Sequence, residues 1–223
     1  TTSSGSTLDR GSSNPRYLYN DGYGGRDEQF YNVILGTDYQ INEFNALTLS
    51  GHYAYEIEDD YFLTTYERRE LNNSLINSSF RNEISEATNP KFQYDLSYKK
   101  TFSDNKDRSL TFSAIGSSFA KEKSSNFQNE GIFGDFAGFE QRIANDYGHA
   151  DYSFQGDYLH PFSKSSELEV GVKYVILDIF NDFRLSNLEN NNWVVDEDLN
   201  NNFDFDQKIL GAYTTYGFEV NKF

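Results

Sequence analysis

Three histidines, His52, His149 and His160, and a few acidic runs are the residues whose types could support catalysis or hold a metal. His52 precedes Glu56 along the chain, and His149 stands between Asp146 and Asp151, so each has a carboxylate near enough to suggest a general base. Such a base needs a nucleophile within about 3 Å, and no HExxH-type spacing joins the histidines into a metal set. The expectation is dispersed histidines and no enzymatic activity. Asp196, Asp198, Asn200 and Asn201 open like a calcium loop, with oxygen ligands at alternating positions. Asn201 stands where that loop needs glycine, however, and Gln207 where it needs a bidentate glutamate. A solvated acidic loop without metal is expected. No phosphate loop, nucleophile elbow or dinucleotide fingerprint occurs, so no cofactor is expected.

Charge and composition narrow the classes further. The chain has 19 basic and 35 acidic residues, a net charge of −16, which is opposite to the footprint of a nucleic-acid binder. Cysteine is absent, which removes disulfides, thiolate zinc sites and cysteine nucleophiles. Methionine is absent too, position 1 included, and no charged start leads into an apolar signal segment. The natural N-terminus is therefore expected to lie outside this sequence.

The elements that must carry these residues are strands. Tyr31, Val33, Leu35, Thr37, Tyr39 and Ile41 alternate with Asn32, Gly36, Asp38 and Gln40, and Leu47 to Ile57 repeat the pattern against Thr48, Ser50, His52 and Glu56. Successive side chains of a strand point to opposite faces, so each run has one wet and one apolar surface. Mean hydropathy is only −0.73, but a barrel strand gives every second residue to lipid, so this value does not argue against a membrane. An aromatic content of 17% is the more telling figure. Hairpins are read at about 30–58, 91–119 and 151–178, with a last strand at about 207–220. The lipid faces of the strands at 108–119 and 207–220 stay open. In the first, Ile115 and Phe119 oppose Leu110, Phe112 and Ala114; in the second, the set with Leu210, Ala212, Tyr216 and Phe218 competes with that of Ile209, Gly211 and Tyr213.

The connections appear alternately short and long. Turns at 42–45, 103–107 and 163–166 are tight, whereas 59–90, 120–148 and the stretch containing Trp193 read as polar loops, and 1–27 as a loop remnant. Aromatics recur near both ends of the apolar runs: Tyr39, Tyr98, Phe102, Tyr158 and Phe162 near the turns, Tyr31, Tyr55, Tyr152 and Tyr174 near the loops. Tyr31 and Tyr39, eight positions apart, bracket roughly 20 Å of height in a tilted strand, close to an apolar band of roughly 25 Å. The expected fold is all-β, an antiparallel up-and-down transmembrane β-barrel. It is expected to be incomplete, because about seven strands cannot close a bacterial barrel and Phe223 is out of register with Val220, Phe218 and Tyr216. Lumen-facing positions would include Asp38, His52, Glu56, Asp95, Lys99, Asp151, Asp157 and Lys173. Glu56, Glu58, Asp59 and Asp60 read as a strand leaving the membrane for water, with divalent bridging to lipopolysaccharide as the alternative.

The segments LGTDYQINEFNALTLSGHYAY, FQYDLSYKKTFSDNKDRSLTFSAIGSS, DYSFQGDYLHPFSKSSELEVGVKY and NNFDFDQKILGAYTTYGFEVNKF, in this order and spacing, resemble the TonB-dependent receptor-like outer-membrane β-barrel proteins of Bacteroidetes. The resemblance spans residues 30–223 with gaps at the loops. It implies a 22-stranded barrel holding an N-terminal plug, and uptake of a scarce ligand with energy relayed from the inner membrane. The partners it implies are outer-membrane lipid and lipopolysaccharide, a plug domain with the TonB system, and a nutrient such as a siderophore, cobalamin, glycan or peptide. The alternatives are a non-transport or passive barrel, namely an adhesin, structural protein or porin, and a soluble antiparallel β-protein.

Overall fold

A computed structural model describes residues 1–9 and 15–219, which form one antiparallel sheet of nine strands. In chain order they are β1 (Thr2–Asp9), β2 (Arg16–Asn42), β3 (Asn45–Arg69), β4 (Leu75–Phe102), β5 (Asn105–Phe133), β6 (Phe139–Ser163), β7 (Ser166–Glu189), β8 (Asn192–Val195) and β9 (Asn201–Phe218). Each strand from β1 to β7 pairs with the next, and β9 pairs with β7. The free edge of β7 thus carries the short β8 at Ser186–Glu189 and the long β9 at Ser166–Phe183. Among the described residues β1 and β9 do not pair, so the sheet is open.

Strands β2 to β7 run for 24 to 29 residues each, whereas about 9–11 suffice to cross a bilayer. This corrects the expected loops. Residues 1–27, 59–90 and 120–148 are mostly strand, and the only breaks at that end of the sheet among the described residues are the short connections 70–74, 134–138, 190–191 and 196–200. The ladder continues because neighbouring strands satisfy each other's N–H and C=O groups wherever the backbone stays extended, whatever the side chains. Among the described residues the strands number nine where about seven were expected, with β1 arising from the presumed loop remnant and β8 from the third loop. The expected continuation of the last strand to Val220, and Phe223 with its register, lie outside the described residues.

At the opposite end the connections are two residues long: 43–44, 103–104 and 164–165. The second is tighter than the expected 103–107 because Asn105 already pairs with Phe102. In the first, Asn42 Oδ1 accepts the Phe44 N–H at 3.0 Å and the Asn45 side-chain amide at 2.7 Å, an Asx-type closure that needs no glycine.

Register decides the faces. The pairs Val33↔Tyr53, Tyr53↔Phe92, Leu96↔Ala114, Phe112↔Gly156, Phe154↔Tyr174 and Tyr174↔Leu210 carry one apolar surface across the sheet. Both open strands are thereby assigned: Leu110, Phe112 and Ala114 lie on the apolar face of β5, and Leu210, Ala212, Tyr216 and Phe218 on that of β9. Many large side chains on this face are exposed, among them Phe154 at 37%, Leu35 at 72% and Leu210 at 73%. So broad an exposed apolar surface suits hydrocarbon, not water.

Five glycines are covered by the ring of the aromatic residue opposite them on a neighbouring strand: Gly24 by Phe62, Gly25 by Tyr61, Gly116 by Tyr94, Gly148 by Phe180 and Gly171 by Tyr213. In each pair a Cβ on the glycine would overlap the ring. The ring lies over the bare backbone and recovers the packing that glycine in a strand forfeits.

Candidate functional site

All eight expected lumen positions fall on the face opposite the apolar one, as the same register shows: Asp38, His52 and Glu56 on β2 and β3, Asp95 and Lys99 on β4, Asp151 and Asp157 on β6, Lys173 on β7. The structure does not gather them into one site. Thr48 donates to Asp38 at 2.7 Å, Ser117 donates to Asp151, and Asp157 takes hydrogen bonds from Gln155, at 3.0 Å, and from Tyr213. Asp95, Lys99 and Lys173 have no side-chain hydrogen bond or ion pair among the described residues. His52 has its Nε2 buried without a partner. Two strands, β4 and β5, lie between β3 and β6, so three strand spacings put His52 and His149 at least roughly 14 Å apart. His160 is on the apolar face near a turn, its Nδ1 3.2 Å from the Tyr158 hydroxyl.

Glu56 alone among the eight enters a charged cluster, whose acids Glu58 and Asp60 the sequence showed but whose pairing with cations it did not. It lies on the polar face just past the Tyr31 and Tyr55 aromatics and crosses β2 to β5. Arg26 grips Asp60 with two hydrogen bonds, Nε to Oδ1 at 2.6 Å and a terminal nitrogen to Oδ2 at 3.2 Å, and also reaches Glu28 at 3.2 Å. Lys123 approaches Asp60 at 3.4 Å, and Lys121 binds both oxygens of Glu58 at 2.6 and 2.8 Å. Asn89 donates to Glu56 at 3.0 Å and to Glu58 at 2.7 Å, and Lys91 lies 3.3 Å from Glu56. Glu58 and Asp60 are each only 4% exposed, and these partners supply the hydrogen bonds and opposite charges that buried carboxylates need. Burial opposes ionisation of Asp60, but Arg26, by hydrogen bond and charge, and then Lys123 hold its carboxyl below the ordinary value. Arg26 is raised in turn, first by its hydrogen bond to Asp60. Acidic residues read as a strand leaving the membrane are therefore the centre of a paired belt.

A second row of polar contacts runs nearer the loop end, from β4 to the turn after β8. Arg81 donates to Asn129 at 3.3 Å and to Gln141 at 3.5 Å, Gln141 donates to Asn187 at 3.0 Å, and Asn187 to Asp196 at 3.3 Å. Asp196 also accepts the backbone N–H groups of Asp198 and Leu199, each at 3.2 Å, while Asn200 accepts that of Leu185 at 3.0 Å. The calcium-like run is thus a turn closed in part by the side-chain oxygens of Asp196 and Asn200. Among the described residues no group of three or more His, Asp or Glu is placed to hold a metal ion.

An up-and-down sheet with one lipid-suited face and one charged, internally paired face is wall of a transmembrane β-barrel. The sequence profile of the outer membrane protein beta-barrel family matches residues 100–223, more than half of the chain, and the chain belongs to that family. It is accordingly a protein of the bacterial outer membrane. Among curated proteins none matches it.

Proposed function

We propose that the chain forms wall and rim of an outer-membrane receptor that takes up a scarce ligand, with a plug domain and the TonB system as partners in a larger barrel. The observation that carries this reading is the length of the strands past the aromatic band. Some fifteen residues per strand beyond the roughly ten needed to span lipid make a tall wall whose polar face bears the charged belt and the amide row. A passive pore gains nothing from such a wall, whereas a receptor needs a rigid surface on which to hold a ligand above its channel. The family resemblance drawn from the four segments quoted above supports the same reading.

The test is growth of a cell carrying the full-length gene on candidate siderophores, cobalamin, glycans and peptides as limiting nutrient, with uptake followed before and after a protonophore. Uptake that stops when the proton gradient collapses and when TonB is deleted is the expected outcome. Uptake that continues under both treatments identifies a passive barrel instead.

A further inference from the structure

We propose that a cavity at the loop end of the polar face binds an oxyanion (carboxylate, sulfate or phosphate) carried on a ring. The cavity holds about 300 Å³ and is lined by Tyr66 and Arg68 of β3, Asn77 and Arg81 of β4, Phe139 of β6, and Phe136 of the connection 134–138. It lies well beyond the aromatic band, on the same face as the belt.

The roof over this cavity is held in place. Gly134 adopts φ of +73°, which lets the chain turn back over the sheet, and Asn77 donates to the Asp135 carbonyl at 3.1 Å. A Cβ on Gly131 would press on Phe136, and one on Gly138 on the Asn129 carbonyl. Phe136 therefore sits over the sheet beside Phe139, ring centroids 6.2 Å apart.

The charge pattern names the ligand. In a chain of net charge −16, Arg26, Lys91, Lys121 and Lys123 all have carboxylate partners. The two arginines of the cavity do not. Arg81 is held by neutral groups only, with its guanidinium 4.0 Å from the centre of the Phe127 ring and hydrogen bonds to Asn129 and Gln141. Arg68 is exposed and has no hydrogen bond or ion pair among the described residues. No Asp or Glu lines the cavity among those residues. Two guanidinium forks without acids fit a carboxylate, sulfate or phosphate, and Tyr66, Phe136 and Phe139 offer faces for a ring. The volume is at the small end of ligand sites and admits one or two rings. Binding here needs no energised transport; its use in nutrient capture rests on the receptor reading.

The experiment is calorimetric titration of the full-length protein in detergent with glucuronate, glucose 6-phosphate and salicylate, and with neutral glucose as control. At least one oxyanion is expected to bind at least about 10-fold more tightly than glucose, with affinity falling as salt rises. Arg68→Gln and Arg81→Gln are each expected to weaken it about 10- to 100-fold, as loss of a charged hydrogen-bond donor does. Phe136→Ala is expected to weaken it while leaving the preference for anions intact. Arg68→Gln touches no partner in the protein, so it remains a fair test even if Arg81→Gln misfolds. Failure of all three oxyanions to bind, equal binding of glucose, or full affinity in Arg68→Gln overturns the proposal. Oxyanion binding together with protonophore-insensitive uptake would remove the receptor reading and leave the site standing.

Discussion

Lys121 on β5 binds both carboxylate oxygens of Glu58 on β3, reaching over β4 to do so. It can because β4 presents small Ser85 and Ala87 there, beside Asn89, which itself donates to Glu58. Ala87 lies opposite both Glu58 and Lys123, and Ser85 opposite both Asp60 and Ser125. Lys121→Met would strand a carboxylate that is 4% exposed, and is expected to destabilise the protein by about 1–3 kcal/mol. The double variant Glu58→Gln with Lys121→Met should recover most of that loss, since replacing both members of a buried pair costs far less than removing one. Denaturant unfolding in detergent measures both, and equal stability of wild type and Lys121→Met would show that the contact contributes nothing.

Ala87→Leu tests the same geometry from the middle strand. A branched side chain there would stand between β3 and β5 and push the two charged rows apart. The expected cost is about 1–3 kcal/mol, the usual range for overpacking. Gly116, one of the aromatic-covered glycines, makes a parallel case on the apolar face: Gly116→Ala must displace the Tyr94 ring, and a similar loss of about 1–3 kcal/mol is expected. Tyr94→Ala with Gly116→Ala should lose less than the two single changes added together, because the clash disappears with the ring.

The strands inside the lipid band were legible because water and hydrocarbon impose opposite demands on their two faces. Tyr31 to Ile41 show this alternation plainly. Ten residues further from the turn both faces are wet, so segments such as Ser78–Glu86 in β4 and Lys121–Asn129 in β5 carry polar residues on either side and read as loops. Their backbone ladder leaves no mark in hydropathy. The face of β9 was ambiguous for a related reason: Ile209 and Tyr213 make its polar side look apolar, and only pairing with β7 settles it. The eight candidate positions share a face, as alternation alone predicts, but the belt joins residues more than thirty apart in sequence. Which cation meets which acid depends on the register of four strands, and that is not written in any one of them.

Two carboxylates beyond the lipid band are expected to shape the pH profile in opposite senses. Asp60 is held low despite its burial, so its contribution is complete above the ordinary carboxylate pKa and is lost as pH falls through the lower folded value. Asp60→Asn should flatten the acid limb of stability. Asp178 is raised, first by its hydrogen bond with Asp206 opposite it and then by burial and by that neighbour's charge. Its contribution is complete below the ordinary pKa and is lost as pH rises through the raised folded value. Asp178→Asn should therefore stabilise the protein at pH 7 and leave it unchanged near pH 3. Unfolding midpoints between pH 3 and 7 separate the two residues, and parallel profiles for both variants would contradict these assignments.

The face assignment of the two ambiguous strands makes the last prediction. A charged side chain facing lipid near the bilayer centre costs about 2–4 kcal/mol, falling to about 0–1 near the interfaces, while the wet face accepts it. On β5, Phe112 pairs with Gly156 on the lipid side and Ile115 with Ser153 on the other. Phe112→Arg is accordingly expected to cost about 2 kcal/mol or more, and Ile115→Arg less than about 1 kcal/mol, in folding into vesicles. On β9 the same contrast is expected between Leu210→Arg and Ile209→Arg, reduced because Leu210 lies level with Tyr174, at the edge of the band. The pairs share strand, depth and introduced charge, so the difference within each reports only which way the side chain points. A larger cost for Ile115→Arg and Ile209→Arg would mean that the sheet presents its other face to lipid, and with it that the charged belt and the arginine cavity lie on the outside of the barrel.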